Sequence, residues 1–470
     1  MTFYVTTTIP YVNARPHLGF ALELVQADVL ARHRRRLGEA VRFQTGTDDN
    51  SLKNVLAAAA AGVPTEEFVS RNAAAFAALR DPLALSYDDF VRTAVDERHR
   101  VGVERLWREC AAAGDLYRKY YEGLYCVESE QFYHPAELVD GLCPEHGTRP
   151  VRVAEENWFF RLSRYQDRLY DLIGSGRLRI EPVTRRNEVL AFIAGGLADF
   201  SVSRSQERAR GWGIPVPGDP GQVIYVWWDA LGNYVTGLGD DYRTWWVESD
   251  ERVHLLGKGV VRFHAVYWPA MLLSAGKPLP TRLFVHDYLT VDGLKISKSG
   301  GNGVDPVGLV RRFGTDAVRW WLLREVPLRG DTDFSVERLV SRYNGDLVNG
   351  LGNLVNRVVS MIHRYLGGWA PVGSWPEPAV ADALDRFDFR RAAAAVWQVV
   401  VDANRYVNQR RPWQLPDASR EVVLGELLAA CRVLGSALEP FLPGAAAAVT
   451  EQCTPVSGVL PVARPLFPRV

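Results

Sequence analysis

The sequence predicts an α/β protein with a doubly wound, parallel, Rossmann-like sheet, an inserted domain and a C-terminal all-α domain. Strands and helices alternate near the N-terminus and again after about residue 206. Between them, residues 116–205 carry short aromatic-rich strands without that alternation. After about residue 336 only helical periodicity remains. The predicted domains are 1–115 and 206–335 for the two halves of the sheet, 116–205 for the insertion and 336–470 for the helices.

The N-terminal segment predicts the first strands and helices of the sheet. Residues 3–10 are rich in β-branched and aromatic side chains and predict a buried strand. A Pro- and Gly-containing loop leads to an amphipathic helix from about residue 21 to 36, and a second strand follows at residues 41–45. The second strand ends in the loop 46–50. Ligands of such sheets bind at the carboxyl ends of the strands, where both loops lie.

The α/β pattern returns after the insertion. Three apolar segments are expected to be strands, namely residues 223–228, 253–256 and 283–288. Within the helical region, residues 367–378 are rich in Gly, Pro and Trp and predict a loop.

Composition favours a globular chain of several domains. Its 470 residues are 47% hydrophobic and 23% charged, which suits two to four domains. No apolar run is long enough to span a bilayer and no signal peptide precedes the first strand, so we expect a cytoplasmic protein. Five scattered cysteines argue against a disulfide framework. A net charge of zero gives no overall basic signature, but it leaves a basic face for nucleic acid open.

Two motifs suggest phosphate binding. The first, Pro16-His17-Leu18-Gly19-Phe20, precedes a predicted helix, whose N-terminus could receive phosphates while His17 donates a hydrogen bond. The second holds Lys295 and Lys298, two of only six lysines among 55 basic residues, and is followed by a glycine-rich loop. Ammonium groups on such a loop could close over a triphosphate. The alternatives are a turn with a surface histidine and a solvated basic loop.

Taken together, the two motifs resemble the paired signatures of class I aminoacyl-tRNA synthetases. Four further segments narrow the resemblance to the methionyl-tRNA synthetase family: residues 4–13, 44–48, 225–230 and 263–269. The resemblance implies ATP-dependent activation of L-methionine, with Mg²⁺ on the ATP, and transfer from methionyl-adenylate to the 3′ end of tRNA(Met). It also implies a catalytic sheet, a connective insertion and an anticodon-binding helical domain.

The resemblance assigns substrate-binding residues by position. Methionine would lie among Ile9, Tyr11, Trp227 and His264, with Asp48 on its ammonium group. Aromatic walls around a thioether make physical sense, although ordinary core packing is the alternative for Trp227 or His264 alone. Three residues would be catalytic, namely His17, Lys295 and Lys298. The ATP-binding set would be His17, Gly19, Gly257, Lys295, Ser297 and Lys298.

The helical region carries the residues that the resemblance assigns to the anticodon. Asn353 and Arg357 lie four residues apart and therefore share a face of a predicted helix. Trp413 follows Pro412, which should end the preceding helix near Arg411. An unpaired base could stack on Trp413 while Asn353 and Arg357 read its polar edge. For Trp413 alone, packing is the alternative.

Several positions depart from the family pattern. Phe20 replaces a histidine of the first signature, Gly259 replaces an acidic residue, and residues 49–51 read Asp-Asn-Ser instead of Glu-His-Gly. Losing one donor to the reacting phosphate can cost on the order of 100-fold in rate.

The departures extend to the insertion, where relatives often bind a structural zinc. Cys126, Cys143 and His146 match three ligands of that site, but Ser129 replaces a fourth, and a metal-free segment is the alternative.

Three functions stay open at this point: a working ligase, a paralogue that activates methionine or an analogue for specialised metabolism, and a tRNA-binding pseudoenzyme. No appended domain follows the helices, so we expect a monomer.

Overall fold

A computed structural model of the chain describes residues 1–127, 131–144, 147–296 and 302–468. The chain forms two compact units. The first unit comprises Met1–Pro16, Leu37–Ala78 and Tyr87–His286. The second unit comprises His17–Arg36, Leu79–Ser86 and Asp287–Val470. The residue boundaries of the four predicted domains stay a prediction.

A six-stranded sheet in which every strand pair is parallel forms the centre of the first unit. Across the sheet the strands are Asp89–Arg92, Ala40–Thr47, Thr2–Thr7, Glu251–Gly257, Arg282–His286 and Arg179–Glu181. The order of the strands along the chain reverses between Thr2–Thr7 and its neighbour Glu251–Gly257. At this point Thr7, the last residue of the first strand, pairs with Leu255 near the end of the neighbour. This confirms the predicted doubly wound sheet, and the reversal is where such sheets bind ligands.

Antiparallel strands build the inserted region of the first unit. One sheet has the order Gln131–Tyr133, Leu116–Cys126, Val151–Phe160 and Phe200–Ser201. A smaller sheet has the order Pro215–Val216, Asp219–Ile224 and Ser203–Ser205.

One strand prediction, at residues 223–228, is wrong. Its first two residues end the antiparallel strand Asp219–Ile224, Tyr225 is the extended N-cap residue, and the last three residues begin the helix Val226–Thr236. This helix is buried on nearly all sides, so its apolar run carries no periodicity that separates a helix from a buried strand.

The remaining helices of the first unit flank the sheet and the insertion. Ser51 and Asp96 cap two of them, each accepting a hydrogen bond from the backbone N–H two residues on. The helices are Leu52–Ala60, Thr65–Ala77, Glu97–Ala112, Gln166–Gly174, Val183–Ala194 and Trp268–Ser274.

The second unit is mainly helical, and helices form the region after residue 336, as predicted. Its first helix, Leu18–Arg36, begins three residues before the predicted start because its first turn includes Leu18 and Phe20 as buried residues. A small sheet pairs Leu289–Val291 with Leu294–Lys295 and Thr332–Asp333. The other α-helices are Pro306–Phe313, Thr315–Glu325, Val336–Arg342, Asn353–Leu366, Ala381–Asp385, Phe389–Arg410, Asp417–Ala437 and Pro443–Cys453, and the π-helical segment Tyr343–Gly352 joins the third of these to the fourth. Across the described ranges, no helix is both long and apolar enough to cross a membrane.

Candidate active site

The loops that follow the first two strands are tied to each other in the first unit. The Asp48 N–H donates to the Pro10 carbonyl at 2.9 Å, and Tyr11 and Asp48 form an isolated parallel bridge. The Asp48 carboxylate is buried, and its Oδ1 accepts from the Asn50 N–H at 3.3 Å. Ile9 lies half-buried in the same loop as Tyr11. These contacts hold a carboxylate at the carboxyl end of the sheet, where it could bind an ammonium group.

Trp227 is the centre of an aromatic cluster in this unit. Its ring stacks on Phe263 with centroids 3.7 Å apart and planes 6° apart. Tyr11 and His264 meet the same ring edge-on, at 6.4 Å and 6.2 Å. The structure thus brings together three of the predicted methionine-pocket residues. Phe263 was not predicted, although it stands beside His264 in one of the segments that carry the resemblance.

His264 is held as a neutral ring. Its Nδ1 lies 2.9 Å from the Val260 carbonyl oxygen, which only accepts, so Nδ1 carries the proton. Its Nε2 therefore accepts from the Tyr234 hydroxyl at 2.7 Å. Complete burial lowers the pKa of His264 to about 4. The ring thus presents a fixed, uncharged edge to Trp227.

A second buried histidine, His254, packs against the tyrosine that hydrogen-bonds His264. The His254 ring stacks on Tyr234 with centroids 4.2 Å apart. Its Nε2 accepts from the Trp268 indole at 3.3 Å, and its Nδ1 hydrogen-bonds Thr6 Oγ1 at 2.6 Å. Burial lowers the pKa of His254 well below its usual value. Because Tyr234 is packed on one histidine and bonded to the other, its hydroxyl has little freedom to turn from His264.

A buried carboxylate that sequence reasoning missed supports the loop of Asp48. Asp229 accepts from Asn50 Nδ2 at 2.6 Å and forms a very short hydrogen bond with His99 Nε2. The other ring nitrogen of His99 lies 2.7 Å from Thr236 Oγ1. Asn50 is thus fixed by a side chain distant in sequence. Asp229 stands in the segment 225–230 that carries the resemblance, whereas no local pattern marks His99.

The predicted ATP-binding residues occur in both units. In the first unit, Gly257 ends the fourth strand across the sheet, and Lys258–Val260 form one 3₁₀ turn after it. Gly259 lies inside this turn, so no carboxylate stands at that position.

In the second unit, His17 precedes the first helix. The His17 Nδ1 accepts from the Gly19 N–H at 3.1 Å, so a neutral ring carries its proton on Nε2. The Leu18 N–H donates to the Val304 carbonyl at 2.9 Å. Phe20 is buried, and its phenyl ring has no hydrogen to donate to a phosphate. His17 therefore presents a donor nitrogen beside a helix N-terminus.

Lys295 lies on the short strand Leu294–Lys295 of the second unit. Its ammonium nitrogen lies 3.9 Å from the centroid of the Tyr288 ring, and its carbonyl accepts from Asn302 Nδ2 at 3.1 Å. Ser297 and Lys298 lie outside the described residues.

The predicted anticodon residues lie at the surface of the second unit. Asn353 begins the helix Asn353–Leu366 and is exposed, and the Arg357 guanidinium donates to Asn408 Oδ1 at 3.5 Å. The helix Phe389–Arg410 ends where predicted, with Arg411 in the left-handed region at φ 45°. Trp413 follows in a 3₁₀ turn and is 43% exposed, which argues against the packing alternative.

The predicted zinc ligands are only partly described. Cys126 and Cys143 are both buried, with Tyr133 packed against them. Cys143 Sγ lies 3.5 Å from the Tyr133 hydroxyl, and Cys126 Sγ lies 3.6 Å from Thr148 Oγ1. Residues 128–130 and 145–146, with Ser129 and His146, lie outside the description. Within the described part, no group of three potential metal ligands occurs, so these residues alone do not form a zinc site.

Comparisons with known proteins agree on one family. The family model "tRNA synthetases class I (M)" matches residues 3–151 and 135–359. Methionine–tRNA ligase of Mycobacterium bovis is 42% identical over 96% of this chain and 91% of its own length. The same ligase of Caldanaerobacter subterraneus is 41% identical over 96% of this chain and 74% of its own. Mycobacterium tuberculosis methionyl-tRNA synthetase in complex with methionyl-adenylate superimposes with a TM-score of 0.92, at 39% identity and full coverage of both chains.

Proposed function

Because the chain belongs to the methionine–tRNA ligases, the class I tRNA synthetases for methionine, we propose how its side chains carry out that reaction. The enzyme activates L-methionine with ATP to methionyl-adenylate and transfers the methionyl group to the 3′ end of tRNA(Met). The observation that carries the residue assignment is the aromatic cluster of Trp227, whose member Tyr11 forms a backbone bridge with the buried Asp48. The cluster suits a thioether and the carboxylate suits an ammonium group.

Methionine binds with its side chain against Ile9, Tyr11, Trp227 and His264 and its ammonium group on Asp48. Since His264 is neutral, it adds no positive charge to an otherwise apolar pocket. A protonated ring there would be a buried, unpaired cation, which an apolar ligand could not stabilise.

ATP binds as its magnesium complex near His17, Gly19, Gly257 and Lys295, with Ser297 and Lys298 completing the set. The methionine carboxylate attacks the α-phosphorus, an oxygen–phosphorus bond forms, and the bond to pyrophosphate breaks. His17 Nε2–H and the lysine ammonium groups offset charge that develops on the phosphates. The acceleration comes from positioning and charge, with no covalent enzyme intermediate.

The tRNA then accepts the methionyl group. A hydroxyl of its terminal ribose attacks the adenylate carbonyl, AMP leaves with the electron pair of the broken bond, and the hydroxyl proton passes to the departing phosphate. Asn353, Arg357 and Trp413 bind unpaired anticodon bases, with Trp413 supplying a stacking surface. One chain carries every residue in this scheme, so we propose that it acts as a monomer.

Methionine-dependent ATP–pyrophosphate exchange tests this proposal. Wild type is compared with Asp48→Asn and with Asp240→Asn, which removes the same charge from an exposed position of the same unit. We expect exchange in wild type and the control. In Asp48→Asn, kcat/KM for methionine should fall on the order of 100-fold, because a buried charge partner is lost.

Two outcomes would contradict different parts of the proposal. Full activity in Asp48→Asn would show that another group holds the ammonium. Absence of exchange in wild type, with tRNA binding retained, would instead indicate a tRNA-binding pseudoenzyme. Exchange with another amino acid alone would indicate a repurposed paralogue.

A further inference from the structure

A basic groove of about 760 Å³ lies in the second unit, formed by residues with no part in the scheme above. One wall is the last turn of the helix Leu18–Arg36. The other wall is formed by the helices Asp417–Ala437 and Pro443–Cys453, together with Thr454, which follows the second of them. The polar side chains that face it include Arg32, Arg35, Arg36, Arg432, Ser436 and Thr450. We call this surface the arginine groove. Four guanidinium groups and several hydroxyls thus surround a space the size of a small-molecule site.

Two of the arginines are held rigidly by the fold. Arg32 Nε donates to Asp28 at 2.8 Å, and its Nη groups donate to Glu439 at 2.6 Å and to the Ala84 carbonyl at 2.9 Å. Arg35 Nη1 donates to Ser86 Oγ at 2.8 Å and to its carbonyl at 3.1 Å. These bonds fix the floor of the groove without filling it.

The other two arginines retain hydrogen-bonding capacity. Arg432 donates only through Nε, to the Cys453 carbonyl at 2.9 Å, and Arg36 makes a single ion pair with Glu377 at 3.5 Å. Among the described residues, the remaining N–H groups of Arg36 and Arg432 have no partner. Glu439 is the one carboxylate among the described residues that line the groove, so the lining charge is strongly positive.

We propose that the arginine groove binds a small ligand that carries two or more phosphate groups, such as an oligophosphate or a nucleotide. Guanidinium groups match phosphate oxygens in pairs, and hydroxyls such as Ser436 and Thr450 supply further donors. The groove is distinct from the ATP residues His17 and Gly19 of the same unit, because these lie at the first turn of the helix Leu18–Arg36 and the groove lies at its last turn. A helix of this length separates its two ends by about 28 Å.

The lining favours a small ligand over an RNA strand. Proteins that bind single-stranded nucleic acid stack bases on exposed aromatic rings. No aromatic side chain occurs among the described residues that line the groove. An RNA backbone would therefore gain only phosphate contacts there, without the stacking that holds bases.

Titration with inorganic tripolyphosphate at low ionic strength tests the proposal. The test variant is Arg36→Gln with Arg432→Gln, and the control is Arg386→Gln with Arg390→Gln, which removes two exposed charges of the same unit that do not line the groove. Calorimetry should show two binding events in wild type and in the control, one at the ATP residues and one in the groove. The test variant should lose the second event or weaken it on the order of 100-fold, about tenfold for each arginine.

Methionine-dependent exchange and the urea midpoint should be unchanged in both variants, which shows that the folds are intact. A test variant that keeps both events at wild-type affinity would overturn the proposal, as would a single event in wild type. An RNA oligonucleotide that displaces tripolyphosphate from the groove with higher affinity per phosphate would overturn the choice of a small ligand.

Discussion

Acid should destabilise the first unit through His264, and the size of this effect follows from its burial. In the folded chain the pKa of His264 is about 4, whereas an unfolded chain has a value of about 6.5. Between these values the unfolded state binds a proton that the folded state does not. Stability therefore falls as the pH drops through 6.5 and levels off below about 4.

The magnitude follows from the linkage between pKa and stability. The full difference of roughly 2.5 pKa units corresponds to about 3 kcal/mol, at about 1.4 kcal/mol for each unit. Between pH 7 and pH 5, His264 accounts for roughly 2 kcal/mol of that loss. His264→Gln has no titrating ring, so this part of the loss should disappear, whatever the substitution costs at pH 7.

Urea denaturation of both proteins at pH 7 and pH 5 measures the effect. The loss of unfolding free energy on acidification should be smaller in His264→Gln than in wild type by roughly 2 kcal/mol. His254 remains in both proteins, so its own titration largely cancels in the comparison. An equal loss in the two proteins would refute the account of His264 as a neutral, buried ring.

Three other predictions concern the tRNA surface, the support of Asp48 and the insertion. Trp413→Ala should raise KM for tRNA on the order of tenfold or more and leave methionine-dependent exchange unchanged, because one stacked base loses its platform; equal charging kinetics would contradict this. His99→Ala leaves the buried Asp229 without one of its hydrogen-bond partners and should lower the unfolding free energy by about 2 kcal/mol, measured in urea; a change near zero would contradict it. Purified protein should contain less than one zinc per chain by elemental analysis, since Ser129 replaces a thiolate; one zinc per chain would contradict that.

The elements that a local pattern defines were predictable from the sequence. The first two strands, the first helix and the helices after residue 336 follow from runs and periodicities that each lie within about twenty residues. The helix that begins in the segment 223–228 could not be predicted in this way, because a helix buried on nearly all sides has the same apolar composition as a buried strand. Tertiary burial, which no local window contains, decides between the two.

The residues of the candidate site likewise fall into those that the sequence predicts and those that only the folded structure brings together. Tyr11, Trp227 and His264 were expected together because they stand in recognisable segments, and the structure brings their rings together. The supports of the site could not be expected, since Asp229 meets His99 only after the chain has folded. Neither residue stands in a spacing that predicts a hydrogen bond.

Detection of the bound intermediate tests the central claim most directly. The enzyme is mixed with methionine and ATP without tRNA, and the bound products are analysed by mass spectrometry. The account predicts close to one equivalent of methionyl-adenylate per chain, which disappears with formation of methionyl-tRNA when tRNA(Met) is added. Absence of the adenylate, or an adenylate that tRNA(Met) does not discharge, would contradict it.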